Sequence, residues 1–337
     1  MRTRRPLGLM AAGSVALMGL AACGGGAGAS SDEDTVTLAL VAYSTPQEAY
    51  EDIIKAFQKT DAGKNIEITT SFGGSGDQSR AVEAGQPADV VAFSLEPDMT
   101  RLVKADIVAE DWNSDEQAGM VTDSVVVIVT REGNPKNLTD WDDLTQPGVE
   151  VITPNPFASG GARWNVLAAY GAASGVGTSH EEGVEYLNTL FRNVPVQDDS
   201  ARKSLQTFSG GKGDAILAYE NEAIFANQND QNLEYTVPDE TILIENPVAV
   251  TESSEHPEEA QAFLDFLRSE DAQRIFLDNG YRPINETVAA EGDFPQPSGL
   301  FTIADLGGWS DVSDRFFNTE DGLMVAVERS VGVAVEN

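Results

Sequence analysis

Three short segments of this chain share one chemical design: Gly73-Gly74-Ser75-Gly76, Ser159-Gly160-Gly161 and Asp199-Ser200-Ala201. Each follows an apolar, strand-like run and precedes a helix-like one. The first N–H groups of a helix have no partner within it and carry partial positive charge, so together they can hold an anion. Glycine lets the main chain come close to a ligand, and serine adds a hydroxyl donor. One such segment is an ordinary helix cap. Three of them point to an oxyanion gripped by neutral donors. On this reading a Cβ at Gly160 should block the approach of the anion.

Catalytic and metal chemistry find less support. The segment Gly73-Gly-Ser75-Gly-Asp77 breaks the G-x-S-x-G nucleophile elbow at its last position. Gly210-Gly-Lys212-Gly lacks the spacing of a P-loop. Residues 227–234 offer oxygen ligands without the central glycine of a calcium loop. His180, in the run Thr-Ser-His-Glu-Glu, reads as a solvated loop residue. One cysteine and two histidines exclude a Cys/His zinc cluster. The expectation is a binding protein rather than an enzyme, with no cofactor and no metal.

The chain has 337 residues, 41% hydrophobic, enough for about two folded domains. Its 55 acidic against 21 basic residues give a net charge of −34. Such a surface repels nucleic acid and anionic headgroups, which excludes nucleic-acid binding. The basic residues Arg2, Arg4 and Arg5 precede an apolar stretch, 7–22, too short to span a bilayer. That stretch ends in Leu20-Ala21-Ala22-Cys23, which resembles a bacterial lipobox. Residues 1–22 are therefore expected to be a lipoprotein signal peptide. Residues 23–34 should form a flexible tether from a lipidated Cys23, so that the chain touches a membrane only through its anchor.

Strand-like runs at 35–42, 66–71, 88–93 and 124–130 and helical spacing after Pro46 and Asp77 predict a β-α-β-α-β unit with a largely parallel sheet. A second set follows, with strands at 149–153, 194–197 and 215–219 and helices at 162–173 and 200–208. A strand at 247–251 and helices at 257–267 and 271–277 come next. No linker separates the two sets. They read as two lobes, 35–123 with 251–285 and 124–250, joined by crossing strands near 125–129 and 247–250. Residues 286–337 are left unassigned.

Longer motifs give these loops a context. Val151-Ile-Thr-Pro-Asn-Pro with Ser159-Gly-Gly-Ala-Arg-Trp-Asn165, the run Lys136 to Gly148, Tyr219-Glu-Asn-Glu-Ala223 and Gly280-Tyr-Arg-Pro283 resemble, in order, the sulfate/thiosulfate-binding proteins of bacterial ABC importers. The resemblance extends over residues 36–309. It implies an α/β, two-lobed type II periplasmic-binding-protein fold with hinge-crossing strands and a ligand cleft between the lobes. The implied partners are a sulfate or thiosulfate anion and the permease and ATPase subunits of an importer, with the protein itself a monomer. The implied ligand donors are Ser75, Ser159, Gly160, Gly161, Ala201, Tyr219 and Ser44, mostly through main-chain N–H groups; Trp164 is expected to pack. Two positions depart from the family pattern. Ser44-Thr45 stands where Tyr-Asp-Pro is common, and Tyr219 replaces a tryptophan, so a phenol stands in for an indole donor. Molybdate, tungstate or phosphate, or a structural lipoprotein without ligand, are the alternatives. Phosphate ranks lower because its proton needs an acceptor, and only Asp77 and Asp199 edge the three loops.

Overall fold

The computed structural model describes residues 35–333 and 335; the expected signal peptide, the expected tether and Cys23 lie outside them. In the first half, β1 (Val36–Tyr43), α1 (Gln47–Phe57), β2 (Ile66–Gly73), α2 (Ser75–Glu83), β3 (Val90–Ala92) and α3 (Glu96–Lys104) alternate, and β4 (Met120–Thr130) follows. Then come β5 (Val151–Ile152), α4 (Gly160–Ser174), α5 (His180–Arg192), α6 (Ala201–Ser209), β6 (Ala215–Tyr219), α7 (Glu220–Gln228), β7 (Glu234–Thr236) and β8 (Glu240–Val250). The chain ends with α8 (Pro257–Leu267), α9 (Glu270–Asp278), β9 (Arg282–Pro283), α10 (Glu286–Ala289), β10 (Gly299–Phe301), α11 (Gly308–Val312) and α12 (Leu323–Ser330).

The strands run in the order β2-β1-β3-β8-β4-β6-β5. Pairing is parallel at β1–β2, β1–β3 and β5–β6, but antiparallel wherever β8 meets β3 and β4 and where β4 meets β6. The sheet is therefore mixed, and the parallel pattern holds only toward its two ends. Period-2 alternation explains how each end is covered. From β1, Leu38, Leu40 and Ala42 face α1, α8 and α9, while Val41 faces the layer of α2 and α3. From β4, Val126 and Ile128 join Trp164, Leu167 and Leu190, and Val125, Val127 and Val129 join Leu205 and Phe208. Each fully buried side chain of this size contributes about 1.5–3 kcal/mol. Both β4 and β8 serve two cores: Val121 and Val248 pack with β1, and Val126 and Ile244 pack with α4.

Several elements differ from the sequence reading. Strand β8 begins at Glu240, ahead of the expected 247, because its polar residues are satisfied: Thr241 Oγ1 donates to Val126 O at 2.7 Å and Asn246 Nδ2 to Ser94 O at 3.0 Å. The expected strand at 194–197 reduces to a single bridge from Val196 to Ile152. Helix α4 starts at Gly160, inside the expected loop. His180 opens α5, and its Nδ1 lies 2.9 Å from Tyr170 OH, so it is no loop residue. The unassigned C-terminal stretch divides: Glu291, just past α10, pairs with Arg274 of α9 at 3.0 Å, whereas Phe301, Trp309, Phe316 and Met324 share the core of α4 and α5. There Trp309 meets Trp164 edge to face at 4.8 Å. Helix α12 also reaches the loop before α6, where Gln197 Nε2 donates to Glu328 Oε2 at 2.7 Å.

Candidate anion-binding site

The C-terminal ends of β1, β2 and β3 face the N-termini of α4 and α6 and the end of β6. The open edge of parallel strands is where α/β proteins place ligands. Between them lies a small, tightly closed pocket. Ser44, Ser75, Ser159, Gly160, Gly161, Ala201 and Tyr219, the seven residues singled out above, all line it. Tyr43, Thr45, Gly73, Gly74 and Ser94 complete the wall, and none of the twelve carries a charge.

The donors are sorted by what is already committed. Ser75 is the first residue of α2, so its N–H has no helical partner, while its hydroxyl donates to Asp98 Oδ2 at 2.6 Å. Ser75 Oγ also accepts from Ser94 N at 2.9 Å, leaving the main chain as what Ser75 offers the pocket. Ser159 is the opposite case. Its N–H donates to Asn155 O at 2.9 Å, and its side chain makes no capping bond, so the hydroxyl is the available group. Gly160 and Gly161 begin α4, and Ala201 begins α6, with Ser200 Oγ capping Lys203 N. Three helix N-termini thus converge on one pocket. Tyr43 OH and Thr45 Oγ1 are buried there, without a hydrogen-bond partner among the described residues.

Glycine is needed at this seam for close approach. A Cβ on Gly74 would lie 2.7 Å from Asp199 O, and one on Gly160 would lie 2.6 Å from Ser94 Oγ. The second distance corrects the expectation for Gly160: its missing Cβ makes room for Ser94, whereas a Cβ on Gly161 would point toward Ala201 and the Tyr219 ring. Trp164 packs as expected, fully buried, with Nε1 donating to Ser94 O at 2.8 Å.

Charges stand one layer back. Burial raises the Asp98 carboxyl, and Arg163, the Ser75 hydroxyl, Arg101 and Arg80 oppose the rise. Arg202 donates to Glu48 at 2.6 Å, to Glu222 at 2.9 Å and to Thr45 O at 2.8 Å. Arg282 pairs with the fully buried Glu220 at 2.8 Å. The two acids expected at the edge of the loops are turned to surface partners, Asp77 to Arg80 and Asp199 to Lys203. The acceptor nearest the donors is Asp98, and it was not apparent in the sequence. Ser94 was also missed, although its place just past a buried strand was a usable signal. Arg282 lies in the motif Gly280-Tyr-Arg-Pro283, but its pairing with Glu220 was not legible, and Arg202 gave no signal, because their acidic partners lie far away in sequence.

A mixed α/β sheet with a neutral pocket ringed by helix N-termini, spanning two cores joined by β4 and β8, is the architecture of a two-lobed solute receptor. The chain belongs to the bacterial extracellular solute-binding protein family, whose model matches residues 38–282. It is 40% identical to a sulfate-binding protein of Synechococcus elongatus over 93% of both chains. It is 34% identical to a thiosulfate-binding protein of Pseudomonas aeruginosa, covering 82% of this chain and 88% of that one. The solved structure of the sulfate-binding protein SubI from Mycobacterium tuberculosis superposes with a TM-score of 0.82 at 44% identity, covering 84% of this chain and all of the other. The fold is the type II periplasmic-binding-protein fold.

Proposed function

We propose that this protein captures sulfate between its two lobes outside the cytoplasm and hands it to an ABC import permease driven by an ATPase. The observation that carries the reading is the pocket itself: twelve uncharged lining residues, with the N-termini of α2, α4 and α6 converging on it. Fixed dipoles in a desolvated site hold a dianion strongly because they need not reorganise. The donors are the N–H groups of Ser75, Gly160, Gly161 and Ala201 and the hydroxyls of Ser159, Tyr219 and Ser44. Sulfate, fully ionised, accepts from all of them and asks for no acceptor. The names of the relatives support sulfate first and thiosulfate second.

Closure is the working motion: lobe 35–123 with 251–285 rotates against lobe 124–250 about β4 and β8, and one anion touches both. From β10 onward the C-terminal stretch moves with the second lobe, whose core it shares, while α10 stays with α9 in the first. The protein acts as a monomer tethered through a lipid on Cys23. Calorimetric titration with sulfate, thiosulfate, molybdate and phosphate tests the ligand. One-to-one heat with sulfate is expected, and silence with all four anions would overturn the reading. Small-angle scattering should show compaction on adding sulfate. Loss of membrane association in Cys23→Ala tests the anchor.

A further inference from the structure

Two hydroxyl groups share one wall of the pocket. Ser94 Oγ and Tyr219 OH lie 2.6 Å apart, and either can donate to the other. Both residues are at most 1% exposed. The pair holds two hydrogens, one of which is spent between the two oxygens, so one remains. Among the described residues neither hydroxyl donates to a carbonyl or a carboxylate, and both line the cavity. The side-chain amide of Asn246 also faces the phenol, and that amide is held in place by its bonds to Ser94 O and Thr122.

A phenol at this position raises a difficulty that an indole does not. An indole N–H is a donor only, whereas a phenol oxygen presents lone pairs that repel an anion unless something occupies them. Ser94 is placed to occupy one. Its position is over-determined through the main chain: the N–H donates to Ser75 Oγ at 2.9 Å, and the carbonyl accepts from Trp164 and Asn246. The side chain is left with Tyr219 as its partner.

Building on the anion-binding reading, we propose that Ser94 and Tyr219 act as one donor, with a hydrogen bond running between them and the remaining hydrogen delivered to the bound oxyanion. Ser94 is thus a positioning residue for sulfate. The pair, rather than Tyr219 alone, sets the strength and direction of that contact. The network is cooperative, so removing either member removes most of what the pair supplies.

A double-mutant cycle on sulfate binding tests this. Tyr219→Phe should weaken binding on the order of 10- to 100-fold, the loss of a hydrogen bond to a charged partner. Ser94→Ala should weaken it at least several-fold while leaving the main-chain bonds and the urea unfolding midpoint nearly unchanged. The double variant should bind within about threefold of the weaker single variant, since only one hydrogen is lost. Losses that multiply would show two independent groups and overturn the relay while leaving the sulfate reading intact. A wild-type protein that binds no sulfate would overturn both.

Discussion

Behind the neutral pocket sit two guanidinium groups in unlike company. Arg202 is shared by Glu48, Glu222 and the Thr45 carbonyl, all at 2.6–2.9 Å, and ties the turn after β1 to α6 and α7. Arg282 pairs with Glu220 but also stands across the sheet from Asp123, which is itself opposite Glu245 on β8. Glu96 adds its charge to the field on Glu245. Burial and the facing Glu245 push Asp123 up to about 7, with Arg282 pulling the other way. One joint is closed by short, direct bonds from its cation to both carboxylates. The other holds more carboxylates than a single cation can serve and must keep a proton. Tight charge pairing, among α6, α7 and the turn after β1, and proton storage, on β4, are thus two separate ways of carrying acids out of water.

Removing Arg202 should have the largest effect. Arg202→Met leaves Glu222, fully buried, without its cation, and should cost about 3–5 kcal/mol of stability by urea denaturation. A loss below about 1 kcal/mol would class the joint with surface ion pairs. Next comes pH. Asp123 lies well above its ordinary carboxyl value, and burial likewise pushes Glu328 up to about 7. The folded protein therefore holds protons that the unfolded chain releases. This contribution to stability is complete below about pH 4 and is lost as pH rises through about 7. Urea midpoints should fall from pH 5.5 to 8.5, by an amount on the order of 1–3 kcal/mol. Midpoints that rise over that range would mean Asp123 and Glu328 ionise normally.

Asp123→Asn sharpens the comparison further. It removes the repulsion with Glu245, so it should raise stability at pH 8.5 by about 1 kcal/mol and flatten the slope to what Glu328 leaves. An unchanged slope would assign all of it to other groups. The smallest effect is expected in binding. No pocket-lining residue is charged, so sulfate affinity should vary less than about threefold between pH 6 and 8.5. A steep change would place a proton at Asp98, through Ser75, in the binding step.

The sequence made the pocket-lining residues legible because their chemistry is local. A strand end, a small residue and a helix start are read within a few positions, and Ser75, Ser159, Gly160, Gly161 and Ala201 do line one pocket. Strand β6 and helix α8 kept their expected bounds for the same reason, since their apolar spacing is uninterrupted. What stayed hidden depends on distant partners. Strand β8 looks broken by Glu245 and Asn246 until Asp123 of β4 and the Ser94 carbonyl are seen beside it. Asp98 lies 23 positions from the serine it holds, in a helix whose buried acid the pattern alone does not explain. The C-terminal stretch spreads its aromatic residues from Phe301 to Phe317, and only the surface of α4 and α5 gathers them into a core.

The edge-to-face contact of Trp164 and Trp309 has an optical consequence. Trp164 Nε1 is bonded to the carbonyl of Ser94, whose hydroxyl touches Tyr219 on the pocket wall, so one indole sits a single residue away from the ligand space. Indole emission responds to the polarity and hydrogen bonding of its surroundings, and this indole is fully buried, with a second ring at its edge. Titrating sulfate into the protein should therefore change its tryptophan emission with no label attached, and emission that stays the same at saturating sulfate would show that this chain of contacts does not reach the ligand.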